Sequence, residues 1–253
     1  MKIVVLPPGI GEMPSALGIG VFDGLHLAHR ILLAQTIALA RERNLNPAVF
    51  TFDPPPPLYF HQPGYRLIST LEEKISALEQ LKIETLFLQR FSQTFAAFTP
   101  RQFFNWLIEK TQAQALLVGQ NFGFGGNRLG NADLLKEFGE SQGVEVNILP
   151  LLKNQLGLSI SSTLIRSLLE KGKIEEANHL LCQPFSARFQ FTNHGYFISI
   201  DSEKILPPTG WYQGFVEEKD PIVFQLERDR ILWSQSLQPY ENGLVRIVFL
   251  SHL

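Results

Sequence analysis

Residues 18–30 read GIGVFDGLHLAHR, and the hydrophobic period changes in the middle of this stretch. Leu17, Ile19, Val21 and Phe22 supply the apolar run of a buried strand, and from about Leu27 to Arg43 the pattern continues as a helix that is apolar on most of its circumference. Between the two, Gly20 and Gly24 relieve crowding where backbone must pass close to a ligand. His26 and His29 are three apart, which places them in the first helical turn and on one face of it. A strand that turns sharply into a helix aims unpaired N–H groups and the positive end of a helix dipole above the turn, and a phosphate is the natural occupant. A metal reading of the two histidines lacks the third and fourth ligands that a zinc site needs.

Outward from that stretch the pattern alternates. Lys2–Leu6 is a short strand, followed by a Pro/Gly-rich loop through Pro14; Asn46–Phe52 is a second buried strand after the helix, so the unit is βαβ and its sheet is parallel. The prolines of Asp53–Pro57 (DPPPP) predict an extended, non-helical loop. Thr70 opens a capping box with Glu73 ahead of an apolar stripe at Ile75, Leu78 and Leu81, and Glu84–Gln89 is the next strand. Thr99-Pro100-Arg101-Gln102 starts a further helix that runs to about Gln112, with proline at its first position and a second capping box. Ala113–Gly119 is a strand, residues 119–130 (GQNFGFGGNRLG) form a glycine-rich loop, Ala132–Glu140 is a helix closed by Gly143, and Val144–Leu151 is a last strand. These predict an α/β, Rossmann-like domain over residues 1–184 with five or six parallel strands. Within it, Ser161 or Ser162 caps a helix that carries Thr163 and Arg166 on one face.

After about Pro184 the composition changes to short alternating strands: Ser186–Phe191, Tyr196–Ile200, Gly214–Glu217, Ile222–Leu226 and Leu244–Leu250. Turns at Asn193-His194-Gly195 and Pro207-Pro208-Thr209-Gly210 separate them, so residues 185–253 are predicted to form a small antiparallel barrel or sandwich.

Composition bounds the function classes. The chain has 253 residues, of which 45% are hydrophobic and 18% charged, and a formal charge of −2, with no Lys/Arg run. That balance argues against nucleic acid or an anionic membrane surface as partner and for a small-molecule ligand. A single cysteine, Cys182, leaves no internal disulfide framework. There is no apolar run of membrane-spanning length and no signal-peptide pattern at the amino terminus, so a cytoplasmic location is expected. Oligomeric state is not legible here.

The string G-x-F-D-G-x-H-x-x-H from Gly20 to His29 resembles the H-x-G-H nucleotidyltransferase signature in the form used by bacterial FAD synthetases, the FMN adenylyltransferase part of bifunctional riboflavin kinase/FMN adenylyltransferases. Ala28 stands where that family usually has glycine. Thr51, Phe52, Pro54 and Pro56 are similar to its T-F-x-P-H-P segment, with Pro55 in place of histidine. Asn121, Phe122, Phe124, Gly125, Arg128 and Gly130 match its glycine-rich loop, and residues 160–166 (ISSTLIR) match its I-S-S-T-x-I-R motif. Residues 172–181 follow its closing helix, where Cys182 replaces a glycine.

The resemblance implies transfer of AMP from ATP to FMN, with Mg²⁺ carried by the nucleotide phosphates rather than held by protein ligands. It implies an ATP site from Gly20, Phe22, Asp23, Gly24, His26, His29, Ser161, Ser162, Thr163 and Arg166, of which His26, His29 and Arg166 act in catalysis. It implies an FMN site from Thr51, Phe52, Pro54, Asn121, Phe124 and Arg128. Leu206–Tyr212 looks like the L-P-x-x-G-x-Y strand of the family's kinase barrel, but the G-F-P-T-A-N string is absent, so a degenerate barrel without riboflavin kinase activity is expected. Two other functions fit the same residues: a nucleotidyltransferase for another small phosphorylated acceptor, and a non-catalytic flavin or nucleotide binder.

Overall fold

The computed structural model describes residues 1–7, 9–192, 196–216, 220–233 and 243–253. Contacts divide the chain into two compact units, Met1–Tyr65 with Leu71–Ser159, and Arg66–Thr70 with Ile160–Leu253.

The first unit begins with β1 (Lys2–Leu6), β2 (Ser15–Ile19), α1 (Leu27–Arg43) and β3 (Asn46–Asp53). It continues through α2 (Pro56–Tyr59), α3 (Leu71–Gln80), β4 (Thr85–Arg90), α4 (Gln93–Ala96), α5 (Pro100–Thr111) and β5 (Ala113–Gly119), then β6 (Gly123–Phe124), β7 (Gly130–Asn131), α6 (Ala132–Gln142) and β8 (Glu145–Leu149). Six strands form one sheet in the order β1-β4-β3-β2-β5-β8, and every pair in it is parallel. The Rossmann-like reading is correct, and the sheet has six strands.

Strand periodicity builds the three layers. Leu17, Ile19, Phe50, Leu116 and Val118 point to one face, where Phe103, Phe104 and Leu107 of α5 and Leu135 of α6 cover them. Val49, Leu86 and Leu117, one residue out of phase, meet Leu32 and Leu33 of α1 and Ala77 and Leu78 of α3 on the other. Gly18 lies on that second face, where a Cβ would stand 3.0 Å from Thr36 Oγ1 and 3.1 Å from Leu32 Cδ2, so α1 packs close to β2.

Several expectations are corrected. β2 stops at Ile19, and Phe22 has φ +51°, so Val21 and Phe22 belong to the turn. α1 buries only Leu32, Leu33, Thr36 and Ala40, a single face, because neighbouring elements cover only its sheet side. The proline loop is not wholly extended: Asp53 ends β3, and Pro56–Tyr59 form one helical turn with proline at its start, where the missing N–H would have had no partner anyway. The glycine-rich loop carries the two-residue strands β6 and β7, paired antiparallel. The capping box at Thr99 is present, with Gln102 bonded back to it, and Gly143 closes α6 in the left-handed region.

The second unit contains α7 (Ser162–Glu170), α8 (Ile174–Leu181), β9 (Ser186–Phe191), β10 (Phe197–Ser199), β11 (Gly210–Val216), β12 (Asp220–Glu227), β13 (Arg230–Trp233) and β14 (Leu244–His252). The strands close into a barrel in the order β10-β13-β12-β11-β14-β9, which decides between barrel and sandwich. β13 is absent from the sequence reading, β11 starts four residues earlier, and β10 is shorter than expected. The expected turn at Asn193-His194-Gly195 and the strand end at Glu217 lie outside the described residues. Tyr212, Phe224 and Phe249 contact one another inside the barrel at ring separations of 5.2–5.9 Å. Cys182 caps α8 with φ +57°, a left-handed geometry that costs roughly 1–2 kcal/mol in any residue but glycine.

α6 offers a test of how tightly the first unit is packed. A Cβ on Gly139 would stand 2.5 Å from Val146 Cγ2 and 2.6 Å from the Val144 carbonyl oxygen. Alanine in a helix interior normally gains about 1 kcal/mol over glycine. Here Gly139→Ala is expected to destabilise by about 1–3 kcal/mol, the scale of overpacking, read as a lower urea midpoint.

Candidate active site

The sheet order locates the site. β2 and β5 are neighbours in the sheet, and the crossover from β2 leads to β3 on one side while that from β5 leads to β8 on the other; ligands of open parallel sheets bind beyond the carboxyl ends of strands at such a reversal. Beyond β2 lies the turn of residues 20–26, and beyond β5 lie Gln120 and Asn121.

The turn has left-handed backbone at Phe22 (φ +51°), Gly24 (+80°) and Leu25 (+43°). Each non-glycine residue held there carries a cost of order 1–3 kcal/mol and persists only when its surroundings over-determine it. The surroundings do so. The Gly20 N–H donates to the Phe50 carbonyl at 3.2 Å, Thr51 Oγ1 and Lys74 Nζ both donate to the Val21 carbonyl at 3.0 and 2.8 Å, and Arg30 Nε donates to the Leu25 carbonyl at 3.1 Å. The Phe22 ring is fully buried beneath the turn, and a Cβ on Gly20 would meet it at 3.1–3.3 Å. Gly20 therefore leaves room for the Phe22 ring.

His26 is not within the first helical turn but caps it, with extended backbone and Nδ1 accepting the His29 N–H at 3.4 Å. An imidazole that accepts at Nδ1 carries its proton on Nε2 when neutral. The amides of Leu27 and Ala28, at the first two helical positions, have no carbonyl partner within the helix. Ala28 adopts ordinary helical backbone there, which alanine accepts as readily as glycine. The His26 and His29 rings stack with centroids 3.7 Å apart and planes 16° off parallel, and Phe22 meets His29 edge-on at 5.1 Å. His29 Nδ1 is buried without a hydrogen-bond partner. Burial first, then the neighbouring His26 and Lys74, hold the His29 pKa well below its ordinary 6.5.

Asp23 is buried and its carboxylate receives the Tyr65 hydroxyl at 3.4 Å. Lys74 is missing from the sequence reading, because it lies in the apolar stripe of α3 and one charged residue there looks like an ordinary interruption. It is 4% exposed. Burial lowers its pKa, while Asp23 and Asp53 oppose that shift.

The residues of the expected flavin site fall into two groups. Thr51 is buried with its hydroxyl on the turn, and Phe124 belongs to the core, packed on Phe103 at 5.3 Å and stacked on Phe122 at 5.6 Å. A Cβ on Gly130 would meet the Phe124 ring at 2.7 Å, which accounts for that glycine. Phe52 joins a run of aromatic side chains beyond β3 and β4, edge-on to Phe91 at 5.7 Å, with Tyr59 and Phe60 on the far side of Phe91 at 5.2 and 5.6 Å. Pro54 follows a cis peptide bond. Asn121 and Arg128 are exposed, and Arg128 Nη2 donates to the Asn121 carbonyl at 3.2 Å.

In the second unit Ser161 caps α7 through the Leu164 N–H at 3.3 Å. Ser162 is the first helical residue and Thr163 is exposed. Arg166 Nε donates to the Arg66 carbonyl at 2.7 Å, and Leu67 pairs with Glu203 and Ile205 through backbone bonds of 2.8 Å.

A family model described as FAD synthetase matches residues 12–164. The chain belongs to the FAD synthetase family, and so to the nucleotidyltransferases. It is 33% identical over 174 residues to a bifunctional riboflavin kinase/FMN adenylyltransferase of Buchnera aphidicola, a match covering 68% of this chain and 56% of that protein. It is 30% identical to the Bacillus subtilis protein of the same description, over 79% of this chain and 67% of the other. A Listeria monocytogenes FAD synthetase is 29% identical, over 83% and 85%. The chain thus spans little more than half of the Buchnera relative. A solved Streptococcus pneumoniae structure titled as a macrolide-efflux protein aligns with a TM-score of 0.84 over 100% of this chain and 91% of its own, at 23% identity. That likeness concerns the fold alone. No described helix is long and apolar enough to cross a membrane.

The neutral His29 of this FAD synthetase family member makes its stability depend on pH. The unfolded imidazole titrates near 6.5 and the folded one well below, so the stabilising contribution is complete above 6.5 and is lost as pH falls from there through the folded value. Thermal melts at pH 7.5 and 5.5 are expected to show a larger loss for the parent than for His29→Gln.

Proposed function

We propose that the protein is an FMN adenylyltransferase, which joins FMN and ATP to give FAD and pyrophosphate. The observation that carries this reading is the stacked His26–His29 pair on the N-terminus of α1 at the sheet's reversal point, with a buried and unpartnered Nδ1 on His29. An FMN phosphate oxygen attacks the α-phosphorus of ATP in line as the bond to the pyrophosphate oxygen breaks, so no protein nucleophile is needed. What the protein supplies is position and charge stabilisation. The Leu27 and Ala28 amides and the two imidazoles receive the α-phosphate oxygens, where negative charge grows. Gly20, Phe22, Asp23 and Gly24 shape the turn that presents them.

Ser161, Ser162, Thr163 and Arg166 are assigned to the leaving pyrophosphate on the resemblance. For FMN, Phe52, Pro54, Asn121 and Arg128 are proposed as direct contacts, while Thr51 and Phe124 act through the turn and the core that their side chains support. Mg²⁺ is assigned to the nucleotide phosphates on the resemblance, since this ion keeps phosphate and water ligands. Mg²⁺ would neutralise charge on the phosphates.

We further propose that residues 1–184 carry this activity and that the barrel of residues 185–253 lacks riboflavin kinase activity. Between Phe185 and Tyr212 no G-F-P-T-A-N string occurs. ATP and FMN as substrates suit a cytoplasmic setting.

Incubation with FMN, ATP and Mg²⁺ is expected to yield FAD and pyrophosphate; tight binding of both substrates without turnover would overturn the reading. His29→Ala is expected to lower kcat by roughly 10²-fold or more, the scale for losing one preorganised donor. Riboflavin in place of FMN is expected to give neither FMN nor FAD, and formation at a comparable rate would refute the loss of kinase activity.

A further inference from the structure

Lys74 is a buried amine that the proposed reaction does not use. A lysine where a helix faces its sheet is costly to bury unless its charge is compensated. Its flanking stripe residues Ala77 and Leu78 are buried against Val49 and Leu86 in the ordinary way, so packing alone would place an apolar side chain at this position. Its Nζ donates to the Val21 carbonyl at 2.8 Å, and the same oxygen receives Thr51 Oγ1 at 3.0 Å. Two donors from separate elements thus occupy both lone pairs of the carbonyl that precedes the left-handed residues Phe22, Gly24 and Leu25. The carboxylates close enough to act on the amine are Asp23 in the turn and Asp53 at the end of β3.

We infer that Lys74 is a positioning residue for adenylyl transfer, whose amine fixes, through the Val21 carbonyl, the turn that presents the α1 amides and the His26–His29 pair. The inference rests on the adenylyltransferase reading. The charge of Lys74 has a second consequence. Of the groups facing His29, His26 from the helix cap and Lys74 from α3 both disfavour a proton on its ring. Removing the amine should therefore let His29 protonate at higher pH.

The test uses the full chain with Lys74→Met, which keeps the apolar stem and removes the amine, and Thr51→Val, which removes the other donor on the same carbonyl. Lys74→Met is expected to lower kcat for FAD formation by roughly 10–100-fold, the scale of a small misplacement of reacting groups. The ATP KM should stay within about threefold, and the acid limb of the pH–rate profile should move to higher pH. Thr51→Val should give a smaller effect of the same kind, and the two should be non-additive, since they share one acceptor. Unchanged kcat and an unmoved pH profile in Lys74→Met, or strict additivity with Thr51→Val, would overturn the inference. If Lys74→Met does not fold, Thr51→Val decides alone, and an unaltered kcat would refute the positioning role. NMR titration of the His29 ring reads the same coupling without catalysis: a parent that makes no FAD sinks the functional reading, whereas an unshifted His29 titration in Lys74→Met sinks this one.

Discussion

The candidate site depends on one carbonyl. β2 ends at Ile19 and α1 begins at Leu27, so seven residues must reverse the chain at the mouth of a parallel sheet. Three of them adopt left-handed backbone. A loop of this kind held only by its own sequence would sample many conformations. Here the Val21 oxygen is gripped by a hydroxyl from β3 and an amine from α3, the Phe22 ring is driven into the core, and Gly20 leaves room for that ring. Each restraint comes from an element already fixed by the hydrophobic core, so the strain in the turn is supported by packing elsewhere.

Electrostatics at the turn follow from the same burial. The chain carries no net positive charge, its formal charge being −2. At the turn the positive groups are the helix N–H groups, Arg30 and the buried Lys74, and charges act more strongly where water is excluded. His29 illustrates the balance: with Nδ1 buried, stacked on His26 with ring centroids 3.7 Å apart and near Lys74, its ring is held below its ordinary pKa.

The positions where this chain departs from its family's usual residues have separate physical explanations. Ala28 lies where the backbone is simply helical, so the added methyl meets no conformational barrier. Pro55 sits ahead of a one-turn helix that prolines can start. Cys182 takes the left-handed cap that a glycine would fill without strain, and the helix it closes is anchored through Asn178, which donates to the Phe249 carbonyl at 2.8 Å and accepts the Phe185 N–H at 2.6 Å. In the barrel, the buried Asp201 and the partly exposed Arg188 form an ion pair at 2.7 Å, with the Arg188 backbone N–H bonded to the carboxylate's other oxygen. Those bonds to both oxygens help offset the cost of burying the carboxylate.

The sequence by itself determined the layers and the strand-turn-helix of residues 18–30. Its alternation of short apolar runs with capped, 3.6-periodic stretches dictated a parallel sheet between helices, because each period leaves one face to bury. The strand-turn-helix at residues 18–30 dictated a helix start at the turn, and helix N-termini leave N–H groups without a carbonyl partner in the helix. Only the tertiary structure decided what each of these side chains meets. Thr51 and Phe124 look like contact residues in their motifs, yet their partners are Val21 and Phe103, residues from distant strands and helices. Lys74 looks like a stray charge in an apolar stripe, and its hydrogen bond appears only when α3 packs on the sheet and brings the amine to Val21. Hydrogen-bond partners 30 and 53 residues away in the chain leave no mark on local periodicity, because periodicity records which face a residue is on and not what it meets there.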